Sequence, residues 1–295
     1  MFADRLHEKV LEFKNPTVLG LDPLYDYVPK SIRNSFVSEC DAVYEYNKKM
    51  IDSLHEIIGI VKCQSAYYEL LGPEGALLLK KTMDYAKSKQ MIVILDCKRN
   101  DIGSTAEAYA EAYLGNGQYQ ADCITVNGYL GSDGITPFVK KCIEYGKGIY
   151  ILVKTSNQSS FELQDLTLES GRMVYEQMAE LVSAWGKSVI GRYGYSSVGA
   201  VVGATYPKQL ESLRKSMTHI PFLVPGYGAQ GGSAFDVKSA FDSNGNGAVI
   251  NSSRGLLLAY KKQGMDHEQF DKAAIKEALL MKEQLNQHIV WEGLK

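Results

Sequence analysis

Four charged residues fall where charge is costly. Lys62 lies inside the apolar run at 58–63 (IGIVKC). Asp96 ends the apolar run at 91–96 (MIVILD), and Lys98 follows two residues on. Residues two apart in an extended segment face the same side, so Asp96 and Lys98 share a face. Charges on a buried element cost several kcal/mol each unless they neutralise one another. Asp101, just past the second run, completes an alternating set of Lys62, Asp96, Lys98 and Asp101. The set is neutral overall, and its polarity is fixed before any ligand arrives. Such an array suits a reaction whose transition state gathers charge at one atom. The alternative is an ordinary ion pair at a strand end, with Lys62 extending its tip to water.

Two further segments carry binding chemistry. Residues 226–231 (GYGAQG) fit G-x-G-x-x-G after an apolar run. A dinucleotide site fits poorly, because the acidic partner expected ~20 residues on would have to be Asp242, in a Gly/Asn-rich turn. Glycine backbone amides also hold a lone phosphate. Ser253-Arg254-Gly255 follows the next apolar run, and the Arg254 guanidinium can grip phosphate oxygens in pairs. Residues 242–247 (DSNGNG) begin like a calcium loop, but Ser253 stands where the twelfth-position Glu belongs. They read as a solvent turn. His7, His55, His219, His267 and His288 show no ligand spacing, and no G-x-S-x-G occurs. Zinc catalysis and hydrolysis by a nucleophilic serine are therefore unsupported, and neither metal nor cofactor is expected.

These residues need rigid elements to hold them. Eight short apolar runs recur along the chain, at 17–21, 58–63, 91–96, 122–127, 148–153, 200–204, 221–225 and 248–251. They are rich in Val and Ile without strict alternation, as in strands buried on both faces. Helical patterns fill most of the gaps. Phe36, Val37, Cys40, Val43, Tyr44, Met50, Ile51, Leu54 and Ile57 follow the spacing of one helical face. Pro73 opens another helix, and Asp266 with Gln269 resembles a capping box for a last helix ending near Trp291. Eight strands alternating with helices predict an α/β fold, a (β/α)8 barrel in a single domain over residues 1–295, with an open doubly wound sheet as the alternative. In a barrel the chemistry lies at the C-terminal strand ends. Asp22, Lys62, Asp96 to Asp101, Lys154 to Asn157, the 225–232 loop and Arg254 all sit there.

Composition narrows the class. Lys and Arg number 32 against 34 Asp and Glu, a net charge of −2, so no nucleic-acid partner is expected. No run approaches ~18 apolar residues, so no membrane span is expected. The start (MFADRLHEKVLEF) does not read as a signal peptide. The five cysteines are odd in number and dispersed, which suggests reduced thiols and a cytoplasmic setting.

The pattern Asp96-x-Lys98-x-x-Asp101-Ile102-x-x-Thr105, with Lys62 one strand earlier, resembles the orotidine 5′-phosphate decarboxylase family. So do LGLDP at 19–23, PGYGAQGG at 225–232 and Arg254-Gly255. The likeness spans roughly residues 17–260, and the stretch at 156–198 is similar to the longer branch of that family. The D-x-K-x-x-D element is shared with sister sugar-phosphate lyases; Lys62, Gln230 and Arg254 make the resemblance specific. The resemblance implies cofactor-free loss of CO2 from orotidine 5′-monophosphate. It implies Lys98 as proton donor to C6, Asp96 facing the substrate carboxylate, and Lys62 and Asp22 on ribose hydroxyls. It further implies a homodimer in which Asp101 reaches the partner's site, with Ile102 and Thr105 nearby. Ser156 or Thr155 would bond the pyrimidine edge, with Gln64 and Pro225 as neighbours. Gln230 would bridge base and phosphate, and Arg254 would hold the phosphate. A magnesium-dependent sugar-phosphate decarboxylase or aldolase, or a non-catalytic phosphate-binding barrel, remain the alternatives. Residues 157–168 and 230–247 are candidate lids.

Overall fold

In the computed structural model, which describes residues 1–228 and 231–291, eight parallel strands close into one barrel in sequential order. They are β1 (Thr17–Leu21), β2 (Ile60–Gln64), β3 (Ile92–Arg99), β4 (Cys123–Val126), β5 (Gly148–Lys154), β6 (Val198–Val202), β7 (Phe222–Val224) and β8 (Ala248–Ser252). Strand β8 pairs back onto β1 through Val18 and Asn251, which leaves no edge. All eight apolar runs are strands, with ends displaced by up to three residues; β3 continues past Asp96 to Arg99.

Helices α1 (Phe2–Phe13), α2 (Glu39–Leu54), α3 (Gly72–Ser88), α4 (Gly103–Leu114), α5 (Ser132–Tyr145), α6 (Val174–Trp185), α7 (Pro207–Ser216) and α8 (Phe270–Asn286) accompany the strands. Alternate strand residues divide between two cores. Val61, Cys63, Val93, Leu95 and Ile124 pack outward under the helices. Val18, Ile60, Ile92, Ile94, Cys123, Tyr150, Val201, Leu223 and Val249 fill the barrel interior. Phe2, Leu6 and Val10 of α1 join that inner cluster and plug the N-terminal end. The Phe2 ring meets Tyr150 edge-on, with centroids 6.4 Å apart. The apolar plug leaves the opposite end as the open mouth.

Two expectations are corrected at helix ends. Phe36 and Val37 precede α2 and are exposed, because Ser38 caps the helix by accepting from the Asp41 N–H. Asp266 caps a 3-10 turn at His267–Gln269, accepting from Glu268 N–H, and α8 ends at Asn286 rather than near Trp291. Pro73 lies in the first turn of α3 as expected. Among the described residues no helix is long and apolar enough to cross a membrane.

Candidate active site

The strand register builds the site. Gln64 lies opposite Asp96 and Lys62 opposite Ile94, two residues below, so β2 and β3 deliver three polar side chains to neighbouring levels of the inner wall. Above them the β3–β4 ladder slips, with Leu95 opposite Ile124 but Arg99 opposite Val126. The extra residues form a bulge, and Lys98 within it takes φ 45°, a left-handed conformation that is rare for a residue with a side chain. The bulge re-aims the Lys98 side chain, which returns to Asp96. Simple two-residue alternation would have predicted the same neighbour by a different path.

Asp96 is the centre of the array. Its Oδ2 accepts from Lys62 Nζ at 3.1 Å and from Gln64 Nε2 at 2.9 Å. Its Oδ1 accepts from Lys98 Nζ at 2.7 Å and from Thr125 Oγ1 at 2.8 Å. Burial acts to raise the Asp96 carboxyl, but the charges of Lys62 and Lys98, with hydrogen bonds from Lys98 and Thr125, outweigh it and hold the group well below the usual carboxylate range. Burial opposes the Lys62 ammonium, yet Asp96 and Asp22 keep its pKa above the ordinary value. The Lys62 side chain is 4% exposed and the Lys98 side chain 47%. One cation is locked in the wall, and the other, paired with Asp96, is half-exposed at the cavity.

Within one chain the fourth charge of the cluster is Asp22. Asp22 Oδ1 lies 3.8 Å from Lys62 Nζ and forms no hydrogen bond with a described residue. Asp101 instead accepts from the Ile102 N–H just before α4 and does not line the cavity of its own chain. Ile102 and Thr105 are exposed and Asp101 is partly exposed, and none of the three lines the cavity of its own chain. The contact is local: Asp101 Oδ1 takes the N–H of the next residue, Ile102, which is the N-cap of α4.

Asp22, Lys62, Gln64, Asp96, Lys98, Thr155, Ser156, Pro225 and Arg254 line one cavity of about 500 Å³, within the range of small-molecule sites. Gln230 lies outside the described residues. Asn157 and Gln164, from the candidate lid, line the cavity too, as do Thr125 and Asn251, which were not singled out from the sequence. The Thr155 hydroxyl is engaged, accepting from Gln164 Nε2 at 2.7 Å and donating to Asn157 Oδ1 at 2.6 Å. The Ser156 hydroxyl makes no hydrogen bond with a described residue, and a Cβ on Gly203 would come within 2.8 Å of the Ser156 Cα and Cβ. Below them Lys154, wholly buried, donates to Asp165 at 2.6 Å and lies 4.5 Å from the Tyr206 ring centroid. This pair, with Asp165 partly exposed, staples residues 157–165 to the end of β5.

The N–H groups of Gly228, Gly231 and Gly232 donate to Gly232, Gly228 and Gly226 carbonyls, closing the turn on itself. Those three amides are spent within the loop, and Arg254 lines the cavity beside it. Residues 242–247 form the expected turn, with Asp242 Oδ1 accepting from the Asn244 and Asn246 N–H groups. Among the described residues no group of three His, Cys, Asp or Glu side chains is disposed to hold a metal ion.

Comparison with known proteins agrees with this geometry. The sequence model of the orotidine 5′-phosphate decarboxylase / HUMPS family matches residues 18–265. The chain is 40% identical over 290 residues to orotidine 5′-phosphate decarboxylase of Clostridium perfringens (strain 13), covering 98% of this chain and 100% of that one. It is 44% identical over 299 residues to the same-named protein of Rhodopirellula baltica, covering 96% and 98%. The solved OMP decarboxylase of Leishmania donovani superimposes with a TM-score of 0.73 at 30% identity, covering 96% of this chain and 98% of that one. A barrel of this topology, a Lys–Asp–Lys array at its mouth and likeness over nearly the whole chain converge on one conclusion: the chain belongs to the orotidine 5′-phosphate decarboxylase / HUMPS family.

Proposed function

We infer that the chain decarboxylates orotidine 5′-monophosphate to uridine 5′-monophosphate and CO2, a step of pyrimidine synthesis. The observation that carries this is the Asp22–Lys62–Asp96–Lys98 cluster at the cavity, joined to the family membership.

The chemistry follows from charge. Loss of CO2 from C6 leaves an electron pair in the plane of the pyrimidine ring, where the π-system cannot delocalise it. A prearranged cation must meet that charge. Lys98 is the cation with a free approach to the cavity, and it then delivers a proton to C6. An ammonium ~4 Å from the developing charge contributes about 4 kcal/mol at an effective dielectric near 20. Efficient enzymes lower barriers by as much as ~23 kcal/mol, so Lys98 acts with other terms. Contacts to the remote phosphate supply part of the rest when they strengthen in the transition state.

The roles of the remaining residues follow their placement. Asp96, held anionic by four donors, faces the substrate carboxylate. Lys62 and the unbonded Asp22 oxygen suit ribose hydroxyls. The idle Ser156 hydroxyl suits the pyrimidine edge better than the engaged Thr155, with Gln64 and Pro225 beside the ligand. Arg254, with Gln230, holds the phosphate. A homodimer gives Asp101, Ile102 and Thr105 a use, since all three stand outside their own cavity. Exposed Tyr129 and Leu130, after β4, extend the same face: Gly134 of α5 sits against both the Asp101 carbonyl and Leu130. Four buried, free cysteines suit a cytoplasmic setting.

The test is CO2 release from orotidine 5′-monophosphate by the purified chain, with and without EDTA. Turnover that survives EDTA is expected. A folded protein that releases no CO2 overturns the reading, and turnover abolished by EDTA would favour the metal-dependent lyase.

A further inference from the structure

Thr125 is 1% exposed, yet its hydroxyl reaches both halves of the Asp96–Lys98 pair. On β4 the side chains alternate: Ile124 and Val126 pack outward, while Cys123 and Thr125 face the barrel interior. Thr125 is therefore the topmost inward side chain of β4, level with the bulge in β3. Its Oγ1 accepts from the Lys98 backbone N–H at 2.9 Å and donates to Asp96 Oδ1 at 2.8 Å.

Both bonds address a structural problem. The slip between Leu95 and Arg99 takes Lys98 out of the regular β3–β4 ladder, and its backbone is left-handed at φ 45°. A left-handed residue with a side chain is strained and persists only where the surroundings over-determine it. A buried N–H without a partner would add a further cost. The hydroxyl removes that cost and ties the strained turn to β4. The second bond bears on the reaction itself. When Lys98 gives up its proton it becomes neutral, and its grip on Asp96 weakens. Thr125, Lys62 and Gln64 still donate to Asp96 at that moment.

We propose that Thr125 is a positioning residue for the decarboxylation, its single hydroxyl fixing the Asp96 carboxylate and the left-handed Lys98 backbone together. The proposal rests on the decarboxylase reading given above. Only a side chain that donates and accepts from one short hydroxyl serves both partners, so serine can replace threonine and valine, its isostere, cannot.

The experiment compares Thr125→Val and Thr125→Ser with the wild-type chain, with thermal unfolding recorded for each. Thr125→Val is expected to lower kcat about 10- to 100-fold, the loss of one charge-assisted hydrogen bond in the transition state. KM for orotidine 5′-monophosphate and the Kd for uridine 5′-monophosphate should stay within about threefold. Thr125→Ser should recover kcat to within about threefold of wild type. A general packing role would instead depress both variants alike. The assignment is overturned if Thr125→Val keeps kcat within about twofold, if serine falls as far as valine, or if the loss lies in KM alone. Should Thr125→Val not fold, Thr125→Ala against Thr125→Ser carries the same comparison. Wild-type turnover tests the decarboxylase reading and the variant-to-wild-type ratio tests Thr125, so the two fail separately.

Discussion

At the scale of single residues the site is a contest between burial and charge. Lys62 and Asp96 lie in the barrel wall because each satisfies the other. The sign of the linkage fixes where that matters. Asp96 is depressed below its ordinary 3.8, so its contribution is present above that value and is lost as pH falls through the lower folded value. Lys62 is raised above 10.5, so its contribution is present below 10.5 and is lost as pH rises through the higher folded value. The pair therefore supports the fold across the whole interval between. In urea unfolding on the acid side, wild type should lose stability below 3.8 more steeply than Asp96→Asn; parallel curves would remove the pair from the ledger. Lys98 is different in kind, because it is half-exposed and free to turn to a ligand. Lys98→Ala should lower kcat by about 10³-fold or more, the rate equivalent of about 4 kcal/mol, while product still binds within about tenfold. Turnover near wild type would leave C6 without its proton donor.

At the scale of elements, the strands were plain in the sequence and the bulge was not. A strand covered on both faces is a continuous apolar run, and all eight were visible as such. The bulge at Lys98 leaves no local mark, since no glycine stands at the left-handed position. Thr125 was hidden for a related reason. A threonine in an apolar run reads as a strand former, and its two partners lie 27 and 29 residues away. Lys154 was visible only as a charge after β5; its burial depends on Asp165 and Tyr206, which the fold brings back to it. Helix α1 shows the separation of support from chemistry. Phe2 is 1% exposed at the closed end of the barrel, far in the architecture from the mouth. Phe2→Ala should cost about 3–5 kcal/mol in chemical denaturation, with kcat of the folded fraction within about twofold of wild type. A fall in kcat without loss of stability would mean that the plug shapes the mouth.

At the scale of the whole molecule, the cavity within one chain holds Lys62, Asp96 and Lys98 but not Asp101. If Asp101 completes the site of a second copy, two damaged chains can repair one another. Mixing Asp101→Ala with Lys98→Ala should restore up to about one quarter of wild-type sites after random subunit exchange, because half of the hybrids' two sites are intact and hybrids are half of the dimers. No recovery despite exchange confirmed by mass would return Asp101 to a role in its own chain. The plug has a consequence of another sort, in the order of synthesis. Phe2, Leu6 and Val10 are translated long before Tyr150 and Val201, which make their seat, and the Ala3 N–H waits for the Ser197 hydroxyl. A nascent chain must therefore carry this greasy stripe uncovered until some two hundred residues have been translated, and for that interval it is a binding site for whatever chaperone meets it.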